Sequence, residues 1–127
     1  MYELECDASF SAAHFLRGYE GKCERLHGHN YRVQVTVVGP SLDQIGLLLD
    51  FKELKRYLGN ALEPLDHANL NELDCFRQVN PTAENIAAYL FAELDARISA
   101  GAGCRVRVTR VRVWEAEGRS ASYLGGA

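Results

Sequence analysis

Three of the four histidines fall where two alternating segments can carry them to one point: His14 closes the first segment, and His27 and His29 open the second. Neutral imidazole suits Zn2+, and three protein ligands with one position left open mark a catalytic rather than a structural zinc site. Positions i and i+2 of a strand share a face, so His27 and His29 can reach one ion and His14 can join them from a neighbouring strand. For each ring taken alone, the alternative is a hydrogen-bonded interior or surface histidine. Cys23 precedes His27 in a loop bounded by glycine. It is open to use as a fourth ligand closing a site of one thiolate and three imidazoles, as a thiolate base or nucleophile beside the ion, or as an incidental loop cysteine. A flexible loop suits a group that meets substrate, which favours the catalytic use.

Other side chains carry weaker signals. Asp66-His67 follows Pro64, and a carboxylate that fixes an imidazole tautomer makes a pair fit for proton transfer. Adjacent side chains need not touch, however. Glu84 and Glu115 stand near element ends, where a helix N-terminal charge and a strand-end charge are ordinary. Their more specific use is to accept two parallel N–H bonds from a flat heterocycle that displays an amino group beside a ring N–H.

Strands and helices must position these groups. From Tyr2 to His14 the even positions read Tyr, Leu, Cys, Ala, Phe, Ala, His, and the odd ones begin Glu3, Glu5, Asp7, Ser9, Ser11. That is a strand of period two with one buried face, and His14 lies on it. A second strand runs from about Asn30 to Gly39, with Tyr31, Val33, Val35 and Val37 facing one way; extending its apolar phase backwards reaches His29 and His27. The segment between, with Gly18 and Gly21, reads as a loop. Phe51, Leu54, Leu58 and Leu62 mark an amphipathic helix stopped by Pro64. Residues 65–71 read as irregular. Asn80-Pro81-Thr82 offers capping residues and a proline suited to a first turn, and Ile86, Leu90, Leu94 and Ile98 mark a second helix closed by Gly101 and Gly103. Alternation returns from Arg105, and its phase flips across Thr109-Arg110, which predicts a β-bulge. Glu115 continues the phase of Val111 and Val113, and Arg119–Leu124 is a short last strand.

The order strand, strand, helix, helix, strand, strand predicts an α+β fold: an antiparallel four-stranded sheet with both helices on one face. The other face bears Glu3, Glu5, Asp7, Arg32 and later arginines. It is either solvated or the polar lining of a barrel made when several copies join their sheet edges.

Bulk properties set bounds. A chain of 127 residues fits one domain, 1–127, and 47% hydrophobic with 24% charged residues is ordinary for a globular protein. A net charge of −3 argues against a nucleic-acid surface. The opening Met-Tyr-Glu-Leu-Glu-Cys has neither a basic nor an apolar leader region, no apolar run reaches the length of a membrane span, and the four cysteines form no CxxC pair. The expectation is a cytoplasmic protein with reduced thiols and neither nucleic acid nor membrane as a partner.

Taken in order, Phe10-Ser11-Ala12-Ala13-His14, Cys23-Glu24-Arg25-Leu26-His27-Gly28-His29-Asn30-Tyr31, Leu49-Asp50-Phe51, Leu65-Asp66-His67-Ala68-Asn69-Leu70-Asn71, Asn80-Pro81-Thr82-Ala83-Glu84-Asn85 and Val111-Arg112-Val113-Trp114-Glu115 resemble the 6-pyruvoyl-tetrahydropterin synthase superfamily. The short spacer between Cys23 and His27 is similar to its 6-carboxy-5,6,7,8-tetrahydropterin synthase branch. The resemblance implies the tunnelling fold, in which trimers close barrels and two trimers stack as a homohexamer with active sites at subunit interfaces. It implies Zn2+ on His14, His27 and His29, Cys23 as general base, and Asp66 with His67 as a proton relay contributed from a neighbouring subunit. Glu115 anchors the pterin ring in that reading, with Thr82 and Glu84 close by. The implied substrate is 7,8-dihydroneopterin triphosphate, and the implied products are 6-carboxy-5,6,7,8-tetrahydropterin, acetaldehyde and triphosphate, on the way to 7-deazaguanine nucleosides such as queuosine. The pyruvoyl synthase reaction, or cleavage of a related pterin side chain, is the alternative; a metal-binding assembly protein without catalysis is a third. Ala116 departs from the family pattern, which has Thr or Ser after this glutamate, and the segment 117–123 matches only loosely.

Overall fold

The computed structural model describes residues 1–126. Strand β1 (Tyr2–His14) and strand β2 (His27–Gly39) pair antiparallel along their whole lengths, Tyr2 opposite Gly39 and His14 opposite His27. The extended backbone of β2 therefore does begin at the first histidine of the pair. Strand β3 (Arg107–Ala116) pairs with β2, and β4 (Arg119–Tyr123) pairs with β3, giving the order β1-β2-β3-β4. The bulge expected near Thr109 is present: Thr36 faces Arg110 while Val37 faces Val108, so Thr109 is the extra residue. A second irregularity lies at Glu115, between the pairs Trp114–Ser120 and Ala116–Arg119. Strand β3 starts later than Arg105, whose guanidinium instead binds Ser41 O and Leu48 O at 2.8 Å each.

Two helices pack on the apolar face. Helix α1 (Phe51–Leu62) starts at Asp50, whose carboxylate accepts the Lys52 N–H at 2.8 Å. It buries Leu54, Leu58, Ala61 and Leu62; Phe51, read from the sequence as part of that stripe, is 59% exposed because it sits in the first turn beyond the sheet's cover. Helix α2 (Ala83–Ala102) buries Ile86, Leu90, Leu94 and Ile98 as their spacing requires. Its cap is Thr82, which accepts the Asn85 N–H at 3.1 Å. Pro81 therefore stands one residue before the cap and not in the first turn. Gly103 ends α2 with φ 75°, in the left-handed region that favours glycine. Gly101, expected to share that role, lies inside the helix. The irregular stretch after α1 holds two single 3-10 turns, Leu70–Glu72 and Asp74–Phe76. Among the described residues, no helix is long and apolar enough to cross a membrane.

The core lies between the sheet and the helices: Tyr31, Val33, Val35, Val37, Val111 and Val113 from the strands meet Leu54, Leu58, Ile86, Leu90 and Leu94. Tyr31 and Phe10 stack across β1 and β2 at 4.8 Å. The opposite face is a polar lattice. Arg32 reaches Asp7 at 2.6 Å, Gln34 donates to Asp7 at 3.0 Å, and Thr36 donates to Glu5 at 3.2 Å.

Candidate metal centre

The apolar face ends in imidazoles. His14, opposite His27 across the hairpin, is almost fully buried, and His29 precedes Tyr31 in the same phase of β2. The three ring centroids lie 4.7, 4.8 and 5.1 Å apart. Glu115 joins them from β3. One ligand atom from each of His14, His27, His29 and Glu115 lies within 4.8 Å of the others.

Hydrogen bonds at the far sides of the rings fix what the near sides present. His14 Nδ1 lies 2.7 Å from Pro81 O, and His27 Nδ1 lies 2.7 Å from Arg25 O. A carbonyl only accepts, so both Nδ1 atoms carry the hydrogen and each neutral ring offers a lone pair at Nε2. Those two Nε2 atoms face one another at 3.1 Å, a contact that two such neutral rings cannot bridge with a hydrogen. His29 Nε2 is buried and has no hydrogen-bond partner; Glu115 Oε1 stands 3.0 Å away but out of line for one. Burial holds both His14 and His29 below the ordinary imidazole pKa, against the pull of the Pro81 carbonyl on the first and of Glu115 on the second, so both rings are neutral near pH 7. Ring nitrogens converging beside a carboxylate, with His14 and His27 each held from behind by a backbone carbonyl, fit a divalent cation such as Zn2+. They do not fit an ordinary buried hydrogen-bond network.

Cys23 lies in a single 3-10 turn (Lys22–Glu24) within the loop between β1 and β2, and is half-buried. It is not a member of the imidazole group; Glu115 takes the fourth place, so the structure lends nothing to a closed site with Cys23 as fourth ligand. Asp66 and His67 do touch, with Oδ2 and Nδ1 3.0 Å apart. They dock on the outer edge of β1: Asp66 Oδ1 accepts the Ser11 N–H at 3.0 Å, and the His67 N–H donates to Ser11 O at 2.6 Å. The Ser11 amide, with His67 beside it, holds the Asp66 carboxyl below the usual carboxylate range. His67 has φ 59°, an uncommon backbone for a residue with a side chain, and its ring is 83% exposed. It borders an open cleft of about 470 Å3 that includes Ser11, Gly28 and Asn30.

Glu84 and Glu115 share a second cleft, of about 230 Å3, with Arg119 and Ser120. Glu115 thus stands both beside the imidazoles and in this cleft. Thr82 is not in its lining and is occupied in capping α2. Sequence reasoning missed Arg119 in the cleft and the carbonyls of Pro81 and Arg25 behind the rings. A carbonyl leaves no trace in residue type, and the closeness of Glu115 to the imidazoles depends on the register of β3 against β2, which residue type does not fix.

Comparison with known proteins agrees with this geometry. Residues 3–126 match the family model described as 6-pyruvoyl tetrahydropterin synthase. The chain is 41% identical over 100 residues to the 6-carboxy-5,6,7,8-tetrahydropterin synthase of Synechocystis, covering 75% of this chain and 76% of that one. It is 35% identical over 131 residues to human 6-pyruvoyl tetrahydrobiopterin synthase, covering 92% and 87%. The structure of Caenorhabditis elegans 6-pyruvoyl tetrahydropterin synthase superposes with a TM-score of 0.85 at 29% identity, over 98% of this chain and 96% of that one. The chain belongs to the 6-pyruvoyl tetrahydropterin synthase family.

Proposed function

We propose that this protein is a zinc-dependent 6-carboxy-5,6,7,8-tetrahydropterin synthase, a lyase that converts 7,8-dihydroneopterin triphosphate and water to 6-carboxy-5,6,7,8-tetrahydropterin, acetaldehyde and triphosphate in the cytoplasmic synthesis of 7-deazaguanines. The observation that carries this reading is the trio of imidazoles whose Nε2 atoms converge beside Glu115. The 41% identity to the Synechocystis enzyme supports the carboxy branch. His14, His27 and His29 hold the zinc. A zinc ion there would supply Lewis acidity, favouring loss of a proton from the hydroxyls of the pterin side chain.

The chain's own groups do the rest. Glu115 accepts the N–H donors of the pterin ring, and its place between the imidazoles and the second cleft suits a ring held there with its side chain toward the metal ligands. Glu84 lines the same cleft and assists. Thr82 supports the cleft from behind, capping through Asn85 N–H the helix whose first turn places Ala83 and Glu84 there. Cys23 Sγ takes a proton from the substrate side chain as base, and His67, its Nδ1 hydrogen held by Asp66, returns one at Nε2. The exposure of His67 on the β1 edge supports its service at the site of a neighbouring subunit in a homohexamer of two stacked trimers.

Zinc-loaded protein incubated with dihydroneopterin triphosphate, with and without chelator, tests this by mass spectrometry. Acetaldehyde and the carboxy product are expected, and only without chelator. A pyruvoyl product without acetaldehyde would overturn the assignment in favour of the pyruvoyl reaction, which the 35% identity to the human enzyme keeps as the second reading.

A further inference from the structure

Between β1 and β2 the chain makes a long excursion, from Phe15 to Leu26, whose only regular structure is the turn Lys22–Glu24. Such a loop does not by itself fix where Cys23 stands. Its first three residues are nevertheless held at every step. The side chain of Asn71 accepts the Phe15 N–H at 2.9 Å and donates to Phe15 O at 3.0 Å. The side chain of Asn80 does the same for Arg17, at 2.9 Å in both directions. A primary amide offers one acceptor and two donors, so each asparagine replaces the neighbouring strand that β1 loses after His14. Leu16, between them, turns its N–H the other way and donates to Cys23 O at 2.8 Å.

Both asparagines are anchored themselves. Asn71 is buried, and its own N–H donates to Asn69 Oδ1 at 3.2 Å. Asn80 O accepts from Asn85 Nδ2 at 2.8 Å, and the next residue, Pro81, supplies the carbonyl behind His14. One rigid unit at the head of α2 thus touches both the His14 ring and the segment that holds Cys23.

We propose that Asn71 and Asn80 are positioning residues of the reaction: a two-point clamp on Phe15 and Arg17 that, through the Leu16–Cys23 hydrogen bond, sets the Cys23 thiol in register with His14. The effect on turnover rests on Cys23 being the base, whereas the clamp itself does not. Aspartate at either position keeps the size and the acceptor but loses the donor, setting an oxygen against the backbone carbonyl of Phe15 or Arg17.

Asn80→Asp and Asn71→Asp should be compared with the parent protein at matched zinc content, by amide hydrogen exchange at Leu16, by the alkylation rate of Cys23 followed by peptide mass spectrometry, and by steady-state kinetics. The clamp requires exchange at Leu16 and alkylation at Cys23 to rise roughly tenfold in both variants, with kcat falling about 10–100-fold and KM little changed, as for other residues that orient a reacting group. Asn80→Ser, which vacates the contact without adding charge, stands in should an aspartate variant not fold. Exchange and alkylation at parental values in folded variants would overturn the proposal. Faster exchange and alkylation with intact turnover would uphold the clamp and remove Cys23 from the base's role.

Discussion

Two imidazole nitrogens pointing lone pairs at each other across 3.1 Å make an unstable pair unless a proton or a cation comes between them. Burial works against the proton at His14, and the convergence of His29 and Glu115 on the same point suits a cation there. His27→Ala removes one side of that pair, and its zinc content is expected to fall from one ion per chain to near zero by metal analysis, with turnover lost. Cys23→Ala separates binding from chemistry: zinc should remain at the parental level while kcat drops by about 10²–10⁴-fold, the usual worth of a positioned general base. Zinc loss in Cys23→Ala would instead make the thiol a ligand. The convergence of the three imidazoles was legible in the sequence because alternation is strict: once Tyr31, Val33 and Val35 define the buried phase of β2, His29 and His27 follow by counting in twos. The contact between Asp66 and His67 was half legible. Asp66 and His67 could be named, but their contact depends on the left-handed backbone at His67, which a non-glycine residue does not announce.

Strand and helix limits were legible wherever a hydrophobic period met a breaking residue, as at Pro64 after α1 and at Gly103 after α2. The 3-10 turns near Leu70 and Asp74 were not, since three-residue turns carry no period. Where strands pack most closely, small changes are costly. A Cβ at Gly39 would overlap Leu48 Cδ1 and stand 2.8 Å from Arg105 O, which is backbone and cannot swing aside. Gly39→Ala is expected to destabilise by about 1–3 kcal/mol, read as a lower Tm by calorimetry. The polar face gives a test of sign. Burial works against the Asp7 charge, but the bonds from Arg32 and Gln34 outweigh it and hold the carboxyl below its ordinary value. A depressed carboxylate contributes stability that is whole above the unfolded-state value, near pH 4, and is lost as pH falls through the folded one. Asp7→Asn should therefore flatten the acid limb of the Tm–pH curve below about pH 4 and leave the slope above pH 6 unchanged.

A four-stranded sheet has two edges, and among the described residues only part of one is covered. Residues 66–69 lie along Ser11–Ala13 of β1, with the Ala13 N–H on Ala68 O at 2.9 Å, while the earlier part of β1 and the outer side of β4 carry no partner strand. Open edges of that length invite pairing with further copies, and closure into a ring removes them. The alternation of charge along Glu3, Glu5, Asp7 and Arg32 hinted at such a lining in the sequence, but strand pattern alone does not count subunits. If ring closure brings Asp66 and His67 of one chain to the imidazoles and Cys23 of the next, the two defects Cys23→Ala and His67→Ala lie in different chains of every site. Co-refolding the two inactive variants in equal amounts then rebuilds intact sites wherever a His67→Ala chain supplies Cys23 and a Cys23→Ala chain supplies His67, about one site in four for random mixing in a closed ring. Recovery of roughly a quarter of parental turnover, from an assembly of six chains by light scattering, is expected. If both groups serve the same chain's site, no mixed assembly holds an intact one and turnover stays at the level of the single variants, because every chain then carries a defect of its own.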